Sequence, residues 1–262
     1  MTISPDGTRL AFVPIEAGRE GLRLKNLETN EQVQLLEPQE RLCWGFRFTH
    51  DGQSLYLNTT EPNSTISVLY RINARSGEPP QKISVNVDSQ ISLSPDGLER
   101  RRPQRVLYRR YKGITGYSTL ACRQQQGLPG TPEQLTQDSI IIRPVVSPDG
   151  KSIACTFRKE EADKWKIAIL PFAGGEPLQV LNIPRPYNQI VRWTHDSKAL
   201  FYLDEKNGVS NIWKQPLDGS PPKQITQFTE DVIYHYDRFG AGESFVLTRG
   251  RTMRDIVLIR NP

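Results

Sequence analysis

The chain has 262 residues, of which 36% are hydrophobic and 24% charged, and its formal net charge is +5. This composition is ordinary for a globular protein, and the length suits one large all-β domain or two small ones. No apolar run reaches the roughly 18 residues of a membrane-spanning helix, and the amino terminus lacks the charged start and apolar stretch of a secretory signal. We therefore expect no membrane segment in this chain and a cytoplasmic location, or an extracytoplasmic one if a membrane span precedes the sequence.

A four-residue reversal recurs along the whole chain. The sequence Ser-Pro-Asp-Gly occurs at 4–7, 94–97 and 147–150. Close variants occur at 49–52 and 194–197, and a degenerate copy occurs at 239–242. Their first residues lie 45, 45, 53, 47 and 45 positions apart, a spacing typical of a repeat architecture. Proline fixes the φ angle of the first central position of the turn, and the Asp side chain accepts hydrogen bonds from nearby backbone amides. Gly takes the left-handed conformation that closes the turn. Ser197 replaces this Gly in the fifth copy, so we expect modest backbone strain there.

Apolar runs that alternate with polar residues flank the reversals, and they predict four short strands in each repeat. The strands leading into the reversals are predicted at 43–48, 90–93, 143–146, 189–193 and 233–238. The strands leaving them are predicted at 9–13, 54–58, 152–157, 199–203 and 244–248. Third strands are predicted at 22–27, 68–72, 118–122, 166–170, 211–215 and 255–259, and fourth strands at 33–36, 82–85, 133–136, 178–181 and 223–226.

Four strands in about 45 residues are typical of a β-propeller blade. The sequence predicts one all-β domain over residues 1–262, a six-bladed β-propeller of four-stranded antiparallel blades. A β-sandwich is the alternative, but it would not repeat one turn at fixed intervals. Only Thr2 and Ile3 precede the first reversal, and the chain stops soon after the third strand of the last repeat, so we expect both end blades to be incomplete. This predicts the C-terminal part of a longer protein or a reading frame begun late; the alternative is a ring that closes imperfectly.

The reversals, the segment Asn211-Ile212-Trp213-Lys214 with Asp218-Gly219, and the ending Lys223-Gln224-Ile225-Thr226 resemble the repeats of TolB-like, WD-type β-propellers. The last third also resembles propellers that follow a serine/threonine kinase or a winged-helix domain in bacterial signalling proteins. The resemblance implies a scaffold for proteins, peptides or small ligands, and it carries over no catalytic residue.

The third repeat contains a basic insertion. Residues 99–112 hold six Arg and one Lys against one Glu, a net charge of +6. Arg100, Arg101, Arg102 and Arg105 are therefore candidate ligand-binding residues for phosphates or an acidic partner, beside Tyr108 and Tyr111. The alternative is a solvated loop. Nucleic acid is not expected, because stacking on bases requires exposed rings.

Groups that could carry catalysis or hold a metal are scarce. His50 and His195 take the proline place of reversals on opposite blades, and His235 has no second ligand at a usable spacing. The nucleophile-elbow, kinase and phosphate-loop motifs are absent from the sequence. We predict no enzyme activity, no catalytic residue, no metal and no cofactor.

The cysteines and the recurring aspartates are interpreted as structural. Three cysteines are scattered without metal spacing, which predicts buried free thiols rather than a disulfide or zinc site: Cys43, Cys122 and Cys155. The aspartates recur because the reversals need them: Asp6, Asp51, Asp96, Asp149 and Asp196.

The predicted function is a non-catalytic scaffold that binds a protein, a peptide or a small ligand through loops at one mouth of the ring. We expect it to be the C-terminal sensory or interaction part of a larger bacterial signalling protein. The alternative is the gating or substrate-binding propeller of a hydrolase or peptidase, which requires a hydrolase domain after Pro262.

Overall fold

The structure is a computed structural model of the chain. It describes residues 1–16, 18–39, 43–61, 66–75, 78–85, 91–93, 105–111, 117–123, 132–134, 140–160, 162–185 and 191–251. For residues 15, 16, 39, 44, 84, 85, 105–111, 117–123, 132–134 and 140 only the backbone is described. Every regular element in these ranges is a β-strand, and they include no helix of the length and apolarity needed to cross a bilayer.

The strands pair antiparallel, and each sheet takes its strands from one repeat. The first sheet contains β1 (Thr2–Ile3), β2 (Arg9–Phe12), β3 (Ile15–Glu16), β4 (Arg19–Asn26) and β5 (Gln32–Gln39). The second contains β6 (Cys43–Phe48), β7 (Ser54–Thr60), β8 (Ser67–Asn73) and β9 (Gln81–Val85). The third contains β10 (Ser92–Leu93), β11 (Arg105–Tyr111), β12 (Tyr117–Arg123) and β13 (Pro132–Gln134).

The remaining sheets follow the same order. The fourth contains β14 (Ile140–Val146), β15 (Ser152–Arg158), β16 (Lys166–Pro171) and β17 (Gln179–Leu181). The fifth contains β18 (Arg192–Trp193), β19 (Ala199–Lys206), β20 (Val209–Pro216) and β21 (Lys223–Gln224). The sixth contains β22 (Val232–Phe239) and β23 (Ser244–Gly250) within the described part of the chain. Four sheets thus have four strands paired in chain order, and the fold is an all-β propeller with four-stranded antiparallel blades.

The two end sheets differ from the expectation in different ways. In the first sheet β2 and β3 both pair with β4 and are separated by Val13 and Pro14, where proline supplies no ladder amide. The first sheet therefore has the four strand positions of the others, and β1 is as long as β10 and β18. This innermost strand has two residues, whereas β6, β14 and β22 have six, seven and eight, so an incomplete first blade stays a prediction. The third strand predicted for the sixth sheet, at 255–259, lies outside the described residues.

One set of hydrogen bonds holds the reversals. In the first, the Ser4 hydroxyl donates to Asp6 Oδ1 at 2.5 Å, and the Thr8 amide donates to the same oxygen at 3.0 Å. Ser4 Oγ accepts the Arg9 amide at 2.9 Å, and the Gly7 amide donates to the Ser4 carbonyl at 2.9 Å. The equivalent bonds recur at residues 49–54, 147–152 and 194–199. In these four reversals the aspartate thus bonds within its own turn.

The conformation of the last turn residue follows the sequence prediction in most copies. The glycines of the first, second and fourth reversals have φ of +78°, +66° and +71°. Ser197, at the glycine place of the fifth, has φ of +60°, a region that a side chain makes costly. The sixth copy is different, because Gly240 at its second place has φ of +65° and Gly242 at its last place does not.

Each sheet packs on the next one in the chain. Buried apolar side chains join the first sheet to the second, the second to the third, the fourth to the fifth and the fifth to the sixth. The third and fourth sheets meet where Ser92 Oγ accepts the Val146 amide at 2.9 Å. The sixth returns to the first, since β22 lies against β1 and a Cβ on Gly7 would lie 2.6 Å from Phe239 Cδ2.

Candidate axial binding site

The first strand of each sheet is its innermost strand, and one position on these strands recurs around the ring. It lies two residues before the reversal, and in the first, second, fourth, fifth and sixth sheets it pairs with the residue nine positions later on the next strand. The residues at this position are Thr2, Arg47, Ser92, Val145, Arg192 and Asp237. Four of the six are polar or charged side chains that contact one another; we call Thr2, Arg47, Arg192 and Asp237 the axial cluster.

The carboxylate of Asp237 is the centre of this cluster. Its Oδ2 accepts the Thr2 hydroxyl at 2.8 Å and Arg47 Nη1 at 3.1 Å, and its Oδ1 accepts Arg192 Nε at 2.8 Å. Thr2 belongs to the first sheet, Arg47 to the second, Arg192 to the fifth and Asp237 to the sixth. The second and sixth sheets are separated by the first, so their side chains can meet only inside the ring. One carboxylate thus connects four sheets at the axis.

The two arginines differ in how fully they are bonded. Arg192 has a side chain only 7% exposed, and its remaining nitrogens donate to the carbonyls of Val191 at 2.9 Å and Tyr236 at 3.4 Å. Arg47 has a side chain 23% exposed, and it bonds to Asp237 and Thr2 through Nη1. Within the described ranges its Nε and Nη2 have no hydrogen-bond partner. Arg47 therefore keeps donors available inside the ring.

The charge of the cluster is not balanced. Burial alone would raise the pKa of Asp237, but Arg47, Arg192 and the bond from Thr2 outweigh burial and hold that pKa well below its usual range. Burial, and after it the charge of Arg192, lowers the pKa of Arg47 to about 10. Burial, and after it the charge of Arg47, lowers the pKa of the Met1 amino group to about 6, so this group is mostly neutral at pH 7. At that pH the cluster therefore contains two guanidinium cations and one carboxylate, a surplus of one positive charge.

His235 lies two residues before Asp237 on the same strand, and so on the same face of the sheet. Its Nδ1 is buried and has no hydrogen-bond partner among the described residues. Burial, followed by the charges of the amino terminus, Arg192 and Arg47, lowers the pKa of His235 to about 3. The imidazole is therefore neutral at pH 7 and leaves one polar atom unsatisfied beside the cluster.

Three innermost strands carry a β-bulge, near the end away from the reversal on β6 and β22 and in the middle of the strand on β14. The register shifts between Cys43 and Gly45 on β6, between Ile142 and Val145 on β14, and after Ile233 on β22. Bulges bend a strand and re-aim its side chains, and they are frequent next to functional sites. The inner wall of the ring is thus irregular on three sides.

A second basic feature lies on the rim of the ring, at the hairpin between β15 and β16. A cleft of about 380 Å³ there is lined by four basic side chains and one carboxylate: Arg158, Lys159, Lys164, Lys166 and Asp163. The Arg158 guanidinium lies 4.4 Å from the centre of the Trp165 ring. The other basic side chains are exposed lysines, so this cleft is a rival anion site with less burial than the axial cluster.

None of the candidate ligand-binding residues predicted from the sequence is a member of the axial cluster. Arg100, Arg101 and Arg102 lie outside the described residues, and Arg105 begins β11, where its backbone pairs with Arg123. Their proposed role in ligand binding stays a prediction.

The histidines and cysteines can be placed in part. His50 and His195 lie in reversals of the second and fifth sheets, as predicted, and the described side chains include no group suited to a metal ion. Cys155 is a buried free thiol whose pKa is raised by burial. Cys43 is a thiol as predicted, but it is only partly buried, against the apolar cluster of the first two sheets. The side chain of Cys122 is not among those described.

Sequence comparison finds two bacterial relatives, and no family model matches the chain. Over 92 residues, 34% of this chain, it is 34% identical to dipeptidyl-peptidase 5 of Porphyromonas gingivalis, a segment that is 13% of that protein. Over 224 residues it is 24% identical to the uncharacterised protein Atu1656 of Agrobacterium fabrum, covering 84% of this chain and 70% of that protein.

Structure comparison finds β-propellers. TolB from Acinetobacter baumannii superposes with a TM-score of 0.65 at 17% identity, over 83% of this chain and 51% of that chain. A protein described as TolB from Agrobacterium tumefaciens gives 0.57 at 19% identity, over 81% and 72%. The β-propeller domain of the Trilobed protease from Pyrococcus furiosus gives 0.57 at 17% identity, over 90% and 73%. The chain thus has the TolB-like propeller fold, and it spans about half the length of the Acinetobacter protein.

Proposed function

We propose that this chain is a six-bladed, non-catalytic β-propeller that binds a protein, peptide or small ligand in the interior of its ring. The contacts from sheet to sheet, and from the sixth back to the first, support six blades. The observation that carries the binding role is Arg47, a partly exposed guanidinium with unused donors that faces the axis. Buried or half-buried cations without a full set of partners are costly, and ligand binding is one way to recover that cost.

The absence of a nucleophile–base pair near the axis supports a binding role over catalysis. Among the described side chains of the axial cluster there is no Ser, Cys or Thr hydroxyl paired with a histidine, since Thr2 donates to Asp237 and His235 Nδ1 has no partner. The cluster instead contains hydrogen-bond donors held in place by a buried carboxylate. Such fixed donors suit recognition of a polar group.

An alternative function is the substrate-binding or gating propeller of a peptidase. The 34% identity to a segment of dipeptidyl-peptidase 5 favours it, and the likeness to the propeller of the Trilobed protease agrees with it. In that case the ring would admit a peptide to a hydrolase domain carried elsewhere in a longer protein. The expected bacterial signalling role also requires a longer protein, in which a kinase or winged-helix domain takes the place of the hydrolase domain.

The experiment is a binding screen with site mapping. A library of short peptides, each made as the free acid and as the amide, is tested against the purified chain, and bound peptides are located by photo-cross-linking and mass spectrometry. We expect cross-links to the innermost strands β6, β18 and β22 and no peptide cleavage. Cross-links confined to the outer strands, or the absence of any bound peptide, would contradict peptide binding inside the ring, and cleavage would contradict a non-catalytic role.

The genomic sequence around the reading frame distinguishes the signalling role from the peptidase role, because each requires a different additional domain. A kinase or winged-helix domain encoded upstream supports the signalling role, whereas a hydrolase domain encoded downstream supports the peptidase role.

A further inference from the structure

We infer that the axial site is a carboxylate-recognition site, in which Arg47 receives a carboxylate group of the ligand and His235 contributes a second donor. The inference deepens the proposed binding role and rests on it. It names the chemical group that the ring recognises, which the likeness to other propellers leaves open. Three independent features of the cluster lead to it.

The first feature is the set of free donors on Arg47. Its Nη1 is engaged by Asp237 at 3.1 Å and by Thr2 at 3.4 Å, while Nε and Nη2 have no partner in the described part of the chain. Nε and one terminal nitrogen form a planar fork of parallel N–H groups, whose spacing matches the two oxygens of a carboxylate. Because Asp237 holds Nη1, the guanidinium is oriented before any ligand arrives.

The second feature is the charge surplus. Two guanidinium groups share the single carboxylate of Asp237, so one monoanion would bring the cluster to neutrality. A phosphate carries up to two negative charges at pH 7. It would leave an excess negative charge beside Asp237, which bonds to the same guanidinium. The charge count therefore favours a carboxylate over a phosphate.

The third feature is the orphaned nitrogen of His235. Nδ1 is buried without a partner among the described residues, and a buried polar atom that makes no hydrogen bond is destabilising. A neutral imidazole can place its proton on Nδ1 and donate to an anion. A carboxylate at Arg47 would thus supply the acceptor that this nitrogen lacks. Arg192 is less suited to this role, because each of its three nitrogens already donates one hydrogen bond, to Asp237, Val191 or Tyr236.

The experiment measures binding of defined probes by isothermal titration calorimetry at constant ionic strength, with chloride as the balancing anion. The probes are acetate, N-acetyl-glycyl-glycine as the free acid, the same dipeptide as its amide, and inorganic phosphate. Comparing the affinity for acetate with that for the dipeptide acid distinguishes recognition of a small organic acid from recognition of a peptide terminus. Comparing the affinities for the dipeptide acid and the dipeptide amide tests whether the carboxylate itself is recognised, and this comparison uses the unmodified chain.

We expect the dipeptide acid to bind the unmodified chain about tenfold or more tighter than the amide, as loss of one charge-assisted bond of about 1.5–3 kcal/mol implies. Arg47→Gln should lose about tenfold or more in affinity for the acid and nothing for the amide. His235→Leu should lose about two- to tenfold, the effect of one neutral hydrogen bond. Arg47→Gln should fold, because Asp237 retains Arg192 and Thr2 as partners.

Two control variants remove one positive charge elsewhere. Arg75→Gln alters an exposed arginine after β8, and Lys164→Gln alters the rival cleft at the β15–β16 hairpin. Both should bind the acid as the unmodified chain does. If Lys164→Gln abolishes binding and Arg47→Gln does not, the anion binds at the rim and the inference is wrong.

Other outcomes separate the inference from the proposed function. Equal binding of acid and amide at the innermost strands would overturn carboxylate recognition and leave the scaffold role intact. Stronger binding of phosphate than of acetate would also overturn it. Binding of acetate through Arg47, without binding of any peptide, would support the carboxylate site and contradict a peptide scaffold.

Discussion

Removing the carboxylate of Asp237 should destabilise the protein strongly, because that group links its own sheet to three others. In Asp237→Ala, Arg192 keeps its bonds to the carbonyls of Val191 and Tyr236 but loses the one carboxylate that pairs with it among the described residues. Its side chain is 7% exposed, so water cannot replace the carboxylate freely. Breaking a buried ion pair on one side costs about 3–5 kcal/mol. The retained carbonyl bonds place our expectation at the lower end, about 3 kcal/mol.

Urea denaturation followed by tryptophan fluorescence measures this loss, with the slope of the transition checked for two-state behaviour. Glu243→Ala is the control, since Glu243 is 45% exposed and pairs with Lys214 at 2.7 Å on the surface. An exposed pair contributes about 0–1 kcal/mol. The double variant Asp237→Leu with Arg192→Met should recover most of the loss by removing both charges. A loss below about 1 kcal/mol in Asp237→Ala would show that the carboxylate is solvated and that the four sheets do not meet there.

Three further predictions test the packing and the reversals. Trp193→Ala should lower the free energy of unfolding, measured by urea denaturation, by about 3–5 kcal/mol. The reason is that Trp193 is 4% exposed between the fourth and fifth sheets and its Nε1 donates to the Val145 carbonyl at 2.9 Å. A decrease of less than about 1 kcal/mol would mean that this interface is open. Gly7→Ala should lower the melting temperature more than Gly208→Ala does. Both glycines have a left-handed φ, of +78° and +77°, but only the added Cβ at residue 7 meets Phe239. Equal decreases would contradict contact between the sixth and first sheets. The Asp6 carboxyl should titrate with a pKa of about 2, because the Ser4 hydroxyl and the Thr8 amide bond to it, and NMR of Ser4→Ala should show that pKa rise. Since the folded pKa of Asp6 lies below the unfolded value of about 3.9, its contribution to stability is complete above about pH 4 and is lost as the pH falls toward 2; an unshifted Asp6 would contradict the turn geometry.

The propeller could be predicted from the sequence because its signal is local. Each reversal depends on residues within six positions of one another, such as Ser4, Asp6 and Arg9, so the chemistry of the turn is visible in the letters. The same local reasoning anticipated the left-handed Ser197. It could not show that β1 lies against β22, because these two strands are at opposite ends of the chain.

The axial cluster was missed because its contacts join distant parts of the chain. Arg47 and Asp237 lie 190 positions apart, and no local pattern connects them. A signal was nevertheless present, since aligning the repeats on their reversals places Thr2, Arg47, Arg192 and Asp237 in one column. Charged residues of both signs at an inward-facing strand position are unusual. The density of arginines in residues 99–112 is a more conspicuous feature of the sequence, but it reports charge and not position in the fold.

A crystal structure of the chain grown with 4-iodobenzoate, whose iodine can be located by anomalous scattering, tests the central claim most directly. We predict six sheets around one axis, Asp237 bonded to arginines of the second and fifth sheets, and the benzoate carboxylate on the free edge of Arg47 with its iodine inside the ring. A benzoate bound only at the hairpin of residues 159–165, or arginines 47 and 192 that do not share Asp237, would contradict the account.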